Sequence, residues 1–349
     1  MPAPGVEQPG MPAEPEVGIV TPPLPMPGVT RRAPFMALLL PLQSPDFRAV
    51  ADAFVRGVEA ASQQHPSRLP VEVHPTDASP EGIYQTYAQL LPQGAAVVVG
   101  PMTRSGVSAI ASSGLVMVPT LTLNQPEANV SLPSGLYAFG LSVEDEARML
   151  ARRAFRDGLR RIGIVGIPTP LSRRTREAFL AEWRQLGGEA SVTLEAQPNS
   201  DLTQMRSMLT ERTLDGIFLS AQYQEARMIR PYLPAQIPVY ATSQVNIFPP
   251  DPVGMVDLNG VRFIDMPWLL SQDYPSVASF PRPMDLSGDV LRFYALGVDA
   301  YLIATQLADG HNRFDLDGLT GHLSVHSDGT IERRPRAAVF QDGVPTLIE

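Results

Sequence analysis

Residues 257–270 read D-L-N-G-V-R-F-I-D-M-P-W-L-L. Asn259-Gly260 is a turn signal, and Val261 to Ile264 has the β-branched and aromatic content of a strand. Pro267 removes a backbone donor and pushes Met266 out of the helical region. The strand is therefore expected to end in an extended, crossing segment rather than run into a helix. Trp268, one of only two tryptophans, follows at once. It stands where alternating strand and helix signals give way to a long irregular stretch, the pattern of a chain crossing between lobes. Asp265, Met266, Pro267 and Trp268 are read as one hinge crossing, with Trp268 wedging the hinge, lining a cleft or facing a partner.

Upstream, the same strand-then-helix grammar repeats. Phe35 to Leu40 is a continuous apolar run; Ser44 is placed as an N-cap and Pro45 as the first residue of a helix whose apolar face is Val50, Phe54 and Val58. Val71 to His74 is a strand, and Ser79-Pro80 opens a helix through Ile83, Tyr87 and Leu90 that stops at Gly94. Ala96 to Val99, a helix from Thr103 to Ser112, and a strand from Val116 to Leu121 complete a first lobe. Gly140 and Leu141 are a second hinge crossing. Ser142, with Asp145 three residues on, makes a capping box for a helix ending at Gly158. Strands at Ile162 to Val165, Ala190 to Leu194, Gly216 to Leu219 and Pro238 to Ala241 then alternate with helices at Ser172 to Leu186, Asp201 to Leu209 and Tyr223 to Tyr232.

Strands apolar on both faces that alternate with helices imply parallel sheets covered on both sides, an α/β class. Two similar runs in 349 residues imply two lobes, since single cores stop growing at roughly 250–300 residues. The expected division is a Pro-rich extended linker at 1–34, one lobe from 35–141 plus 266–326, and a second from 142–265 plus 327–349. An amphipathic helix spans Leu291 to Leu307, and Ser327-Asp328-Gly329 is a hairpin signal between His322 to His326 and Thr330 to Arg334.

Composition narrows the function classes. A net charge of -9 disfavours a sequence-independent nucleic-acid binder. There is no cysteine, which removes disulfides, thiolate zinc sites and thiol nucleophiles. No apolar run approaches the roughly 20 residues of a membrane helix.

In open α/β sheets, ligands sit beyond the carboxyl ends of the strands. Those positions are Gln43, Ser44, Met102, Thr103, Thr122 and Asn124 in the first lobe. In the second they are Thr169, Ser220, Gln222, Thr242, Ser243 and Gln244. All are uncharged, without the His, Glu or Asp that general acid-base work needs, so no catalytic residue is assigned. His322 and His326 are read as hairpin residues some 13 Å apart by strand rise, the alternative being a metal pair; no metal site is assigned. Gly100-Pro101-Met102-Thr103 reads either as a tight turn or as an anion-receiving cap. Arg152, Arg153 and Arg156 belong to a basic helix face, which is either solvated and ion-paired or a docking patch for an acidic partner surface.

Collinear blocks from about residue 36 to 340 carry a family resemblance. They are A-L-L-L-P-L (37–42), V-V-G-P-M-T (98–103), Y-A-F-G-L-S-V-E-D-E-A-R (137–148), R-M-I-R-P-Y-L (227–233), V-Y-A-T-S (239–243), residues 257–270, and R-F-Y-A-L-G-V-D-A-Y (292–301). The chain resembles the LppC family, outer-membrane lipoprotein activators of class A penicillin-binding proteins. The resemblance implies a two-lobed fold like the type I periplasmic binding proteins and no cofactor. It also implies a periplasmic, non-catalytic role: binding a class A penicillin-binding protein, with peptidoglycan as a further contact, and stimulating its transpeptidase. The helical-repeat domain and anchoring cysteine of longer members are not in this sequence, so the anchor at the outer membrane is expected from outside it. The rival reading is a periplasmic solute-binding protein for an amino acid or similar small molecule.

Overall fold

The computed structural model describes residues 32–127, 129–197, 202–271, 274–275 and 279–349. The Pro-rich segment expected at 1–34 lies almost wholly outside them, as does Asp201. The first strand, β1 (Phe35–Leu40), is apolar at every position and buried at every position. A strand buried on both faces needs cover on both, and helices supply it. Around it assemble α1 (Arg48–Gln64), β2 (Val71–Pro75), α2 (Pro80–Gln93), β3 (Ala95–Val99), α3 (Arg104–Ser112), β4 (Thr120–Thr122) and β5 (Leu136–Ala138). The five strands form one parallel sheet in the order β2-β1-β3-β4-β5.

Local chemistry explains most boundaries. The Ser79, Thr103 and Ser142 hydroxyls each accept the backbone N–H three residues on, satisfying donors that a helix start leaves open. Ser44 does not cap: residues 45–47 form a turn and α1 begins at Arg48 after Phe47, which makes no side-chain cap. The fourth strand is only Thr120–Thr122, and Pro119 just before it has no N–H of its own to give to a ladder.

The second sheet opens with α4 (Val143–Arg156), β6 (Arg161–Gly166), α5 (Pro170–Gln185), β7 (Glu189–Glu195) and α6 (Leu202–Thr210). It continues with β8 (Gly216–Ser220), α7 (Tyr223–Ile229), β9 (Val239–Ala241), α8 (Pro252–Met255) and β10 (Val261–Asp265). After β10 the chain makes one helical turn, α9 (Pro267–Leu270). The expected extended segment is confined to Met266, whose ψ is 129°, and Pro267 takes the first helical position. Proline's fixed φ suits that position, where no N–H is needed. The long helix α10 (Gly288–Ala308) returns against the first sheet, and β11 (Asp315–Asp317), β12 (His322–Val325) and β13 (Ile331–Arg334) form a small antiparallel sheet. The cut expected at 326/327 falls in the turn of the β12–β13 hairpin. The chain reaches the second sheet at β14 (Arg336–Gln341) and β15 (Val344–Ile348), giving the order β15-β14-β10-β9-β8-β6-β7.

Helices α1 and α10 cross at two glycines. A Cβ on Gly57 would lie 2.0 Å from Tyr294 O, and one on Gly297 would lie 2.1 Å from Phe54 O, so each helix rests on the other's backbone. Gly297→Ala forces these backbones apart, and urea unfolding is expected to show a loss of about 1–3 kcal/mol. Unchanged stability would mean that the two helices are free to separate.

Candidate functional site

The polar side chains at the strand ends are turned on one another. In the first sheet, Thr103 caps α3 and Asn124 Nδ2 donates to Met102 O. Thr122 Oγ1 donates to Asn124 O and Tyr137 O, and Met102 is buried. Gln43 is exposed and Ser44 half-buried, and the Gln43 N–H donates to Thr76 O. Gly100, at φ +111°, runs close against β1: a Cβ on it would lie 2.1 Å from Leu39 O, and its N–H donates to Leu121 O.

In the second sheet, Ser220 Oγ donates to Ser172 O while Ser172 Oγ donates to Ser220 O. Thr169 caps α5, and Gln222 Nε2 donates to Gln244 Oε1 at 3.4 Å. The space beside Ser220, Thr242 and Gln244 is about 10 Å³, room for one water at most. A neighbouring space of about 150 Å³ by Ser243 and Arg292 is also below the roughly 300 Å³ of a small-molecule pocket.

Between the sheets runs a chain of buried charges. Glu146 of α4 accepts from the Ser243 backbone N–H through Oε2 and from Arg333 Nη2 of β13 through Oε1, at 3.1 and 2.8 Å. Arg333 Nη1 also donates to Thr320 O. On the other side of Ser243, Arg292 Nη2 of α10 donates to Ser243 O, Asn246 O and, at 2.7 Å, Asp265 Oδ2. Asp265 further accepts from Asn246 Nδ2 and the Met266 N–H. Burial acts to lower the Arg292 pKa, but the Asp265 charge and hydrogen bond outweigh it and hold the guanidinium above its ordinary value. Three crossings, at residues 139–142, 265–266 and 335, are thus pinned beside one polar network.

Trp268 belongs to the same junction. Fully buried, it stacks on Tyr294 of α10 with centroids 5.8 Å apart and donates from Nε1 to Phe280 O at 2.7 Å. Arg282 in turn donates to Trp268 O. Pro267 and Met266 are buried with it; Leu141 is partly buried in the same core. A Cβ on Gly140 would lie 2.8 Å from Leu123 O, so this crossing lies directly on the loop after β4.

Asp299 of α10 ends the network. It accepts from the Leu319 and Thr320 N–H groups and from Thr320 Oγ1. Complete burial nevertheless pushes its pKa from 3.8 up to about 6. The folded value lies above the unfolded one, so the native state binds this proton more tightly. Stability from the group is full below about pH 4 and is lost as pH rises towards 6. The stability gap between wild type and Asp299→Asn is therefore expected to shift against the wild type by up to roughly 3 kcal/mol between pH 4 and pH 7. A pH-independent gap in urea titrations would contradict this.

Arg152 and Arg153 pair with Glu182 and Asp157, at 2.7 and 3.0 Å, whereas Arg156 is exposed and has no ion-pair partner among the described residues. Two cavities flank α4 here, of about 550 Å³ by Arg148 and Asp328 and about 690 Å³ by Arg156 and Arg336. His322 bonds Asp317 and His326 bonds Glu332; among the described residues no group of three or more metal-ligating side chains comes together. No described helix is long and apolar enough to cross a membrane. Sequence reasoning missed Glu146, Arg292, Asp299 and Arg333. The first three lay within its quoted blocks, and Arg333 shares the inward face of β13 with Ile331.

The two sheets, one parallel and one parallel except for the antiparallel β14–β15 hairpin at its edge, are each flanked by helices and joined by several crossings, and they define a two-lobed α/β protein like the type I periplasmic binding proteins. Residues 30–343 match the family model described as "LppC putative lipoprotein", and the chain belongs to that family. The penicillin-binding protein activator LpoA of Histophilus somni is 28% identical over 317 residues, covering 88% of this chain and 53% of that protein. Its counterpart in Pasteurella multocida is also 28% identical, covering 88% and 54%. The chain thus spans about half the length of the curated relatives it matches. Among solved structures, the C-domain of LpoA from Haemophilus influenzae, described as a regulator of PBP1A, superposes with a TM-score of 0.75 at 24% identity, covering 91% of this chain and all of that one. A protein from Chromobacterium violaceum described as a "putative branched-chain amino acid ABC transporter" has the same TM-score at 34% identity, covering 88% and 100%.

Proposed function

We propose that this chain is a non-catalytic periplasmic activator of peptidoglycan synthesis that binds a class A penicillin-binding protein and stimulates its transpeptidase. The observation that carries the reading is the strand-end region of the second sheet, where Ser220, Ser172, Gln222 and Gln244 bond each other around only about 10 Å³. A surface, rather than a filled cleft, is then the working part, as suits a protein whose named relatives are activators. Stimulation needs a higher affinity for the active conformation of the synthase than for the resting one. Asp265 to Trp268, with Gly140 and Leu141, act as the joint that keeps the lobes in one relation. Work at the inner face of the outer membrane is part of the same proposal, and the family's lipoprotein description supports it.

The second reading, a solute-binding protein for an amino acid or similar molecule, draws on the Chromobacterium violaceum neighbour, which is 34% identical over its whole length. The test is titration of the purified chain against the class A penicillin-binding protein of the same bacterium, beside a thermal-shift series with amino acids. Saturable protein binding without a thermal shift supports the activator. A concentration-dependent rise with one amino acid and no protein binding supports the solute binder.

A further inference from the structure

Helix α4 leaves part of its sheet open. It packs over β9 and β10, burying Leu150, Ala151 and Ala154 with Tyr240 and Ile264. The β14–β15 hairpin extends that sheet by two strands. Ala338 and Phe340 of β14 face the opposite core and are buried. The alternate residues, Ala337 and Val339, are only half-buried, and their cross-strand neighbours Ile348 and Thr346 are half-buried and exposed. A strip of apolar sheet thus lies open beside α4. It continues into the cavity of about 690 Å³, whose apolar surface comes from Met149, Phe155, Ile264, Ala337 and Ile348.

The rim of this groove is basic in a chain whose net charge is -9. Arg152, Arg153 and Arg156 line it from α4 and Arg334 and Arg336 from the strands, against Glu332 and Glu349. Three of the arginines are engaged, with Glu182, Asp157 and Glu332. Arg156 and Arg336 are exposed and have no carboxylate partner among the described residues. Two unneutralised guanidinium groups across an apolar floor match a segment carrying carboxylates on its flanks and apolar side chains beneath.

We infer that this groove, between α4 and the β14–β15 hairpin, is the docking site for an acidic, amphipathic peptide segment of the protein partner. The assignment of that segment to the penicillin-binding protein rests on the function proposed above; the chemistry of the groove does not. Docking there places the partner against Arg334, next in sequence to Arg333 of the buried network, so the site adjoins the junction of the lobes.

The test has two arms, both with the full chain and with Arg156→Glu/Arg336→Glu, exposed positions at which charge reversal leaves the core intact. In the first arm, a fluorescein-labelled peptide rich in glutamate and leucine is titrated by anisotropy. It is expected to bind the wild type, to weaken about tenfold or more in the variant and to weaken with added salt. In the second arm the probe is the purified class A penicillin-binding protein, and the same loss is expected. Absence of peptide binding to the wild type overturns the groove, as does a variant that binds the peptide equally well. Equal binding of the synthase to both chains removes the groove as its docking site and leaves the activator reading standing. No binding of the synthase to the wild type, with the peptide still bound, overturns the activator reading and the partner assignment together. Self-association of the chain, lost on charge reversal, would overturn the proposal in favour of a second copy as occupant.

Discussion

Asp265→Ala is expected to lower the unfolding free energy by about 3–5 kcal/mol, the cost of leaving a buried charge unpaired. The side chains of Asp265 and Arg292 are only 1% and 7% exposed, so water cannot replace the lost partner. Removing the carboxylate also strands Asn246 Nδ2 and the Met266 N–H, both of which it accepts. The unpaired Arg292 keeps only the Ser243 and Asn246 carbonyls and, at 3.3 Å, the exposed Asp289. Replacing the pair together, Asp265→Leu with Arg292→Met, is expected to recover part of the loss, because the desolvation of both charges is then no longer needed while Asn246 Nδ2 and the Met266 N–H stay without their acceptor. Urea unfolding of Asp265→Leu, Arg292→Met and the double variant forms the required cycle. Additive losses would show that the pair is not coupled and that the junction is held by packing alone.

Trp268→Ala has a comparable effect by another route. Truncation removes a fully buried indole and its stack on Tyr294, and a cavity of that kind costs about 3–5 kcal/mol. It also leaves Phe280 O without its donor. Because the ring lies between α9 and α10 and outside the sheets, far-ultraviolet circular dichroism is expected to stay close to wild type. Under the proposed function, stimulation of the synthase falls with it, since the relation of the lobes is loosened. Trp268→Phe keeps much of the packing and loses the N–H, so a smaller loss of about 1–2 kcal/mol is expected. A Trp268→Ala variant with wild-type thermal midpoint and full stimulation would refute the wedge role.

The alternation of strand and helix was legible because strands buried on both faces are written as unbroken apolar runs, and Phe35–Leu40 is the clearest. The hydroxyl caps at Ser79, Thr103 and Ser142 were legible for an equally local reason. The same grammar misplaced the start of α1, since Ser44-Pro45 satisfies it while the chain takes one more turn before Arg48. It also read Pro267 as a break when proline is at home in a first helical turn. Strands β5 and β11, three residues each, have too little pattern of their own and exist because a neighbour pairs with them. The β14–β15 hairpin did carry a signal: Asp342-Gly343 takes φ of 49° and 75°, the turn that Asp-Gly favours.

The polar residues singled out do stand at or just after the carboxyl ends of strands, but position does not say where a hydroxyl points. Ser220 and Thr122 spend theirs on neighbouring backbone. The junction network was illegible for a different reason. Glu146 stands among Glu144 and Asp145 in the first turn of a helix, where acids are ordinarily exposed and favoured by the helix dipole. Its partner Arg333 is 187 positions away, and only the folded chain brings the two together.

The most direct measurement is the cross-linked fraction of peptidoglycan made by the class A penicillin-binding protein of the same bacterium, with and without this purified chain. The account predicts a saturable rise in cross-linking as the chain is added, reduced by Trp268→Ala. Cross-linking that stays flat while the chain binds the synthase, or in the absence of any binding, would contradict the activator function.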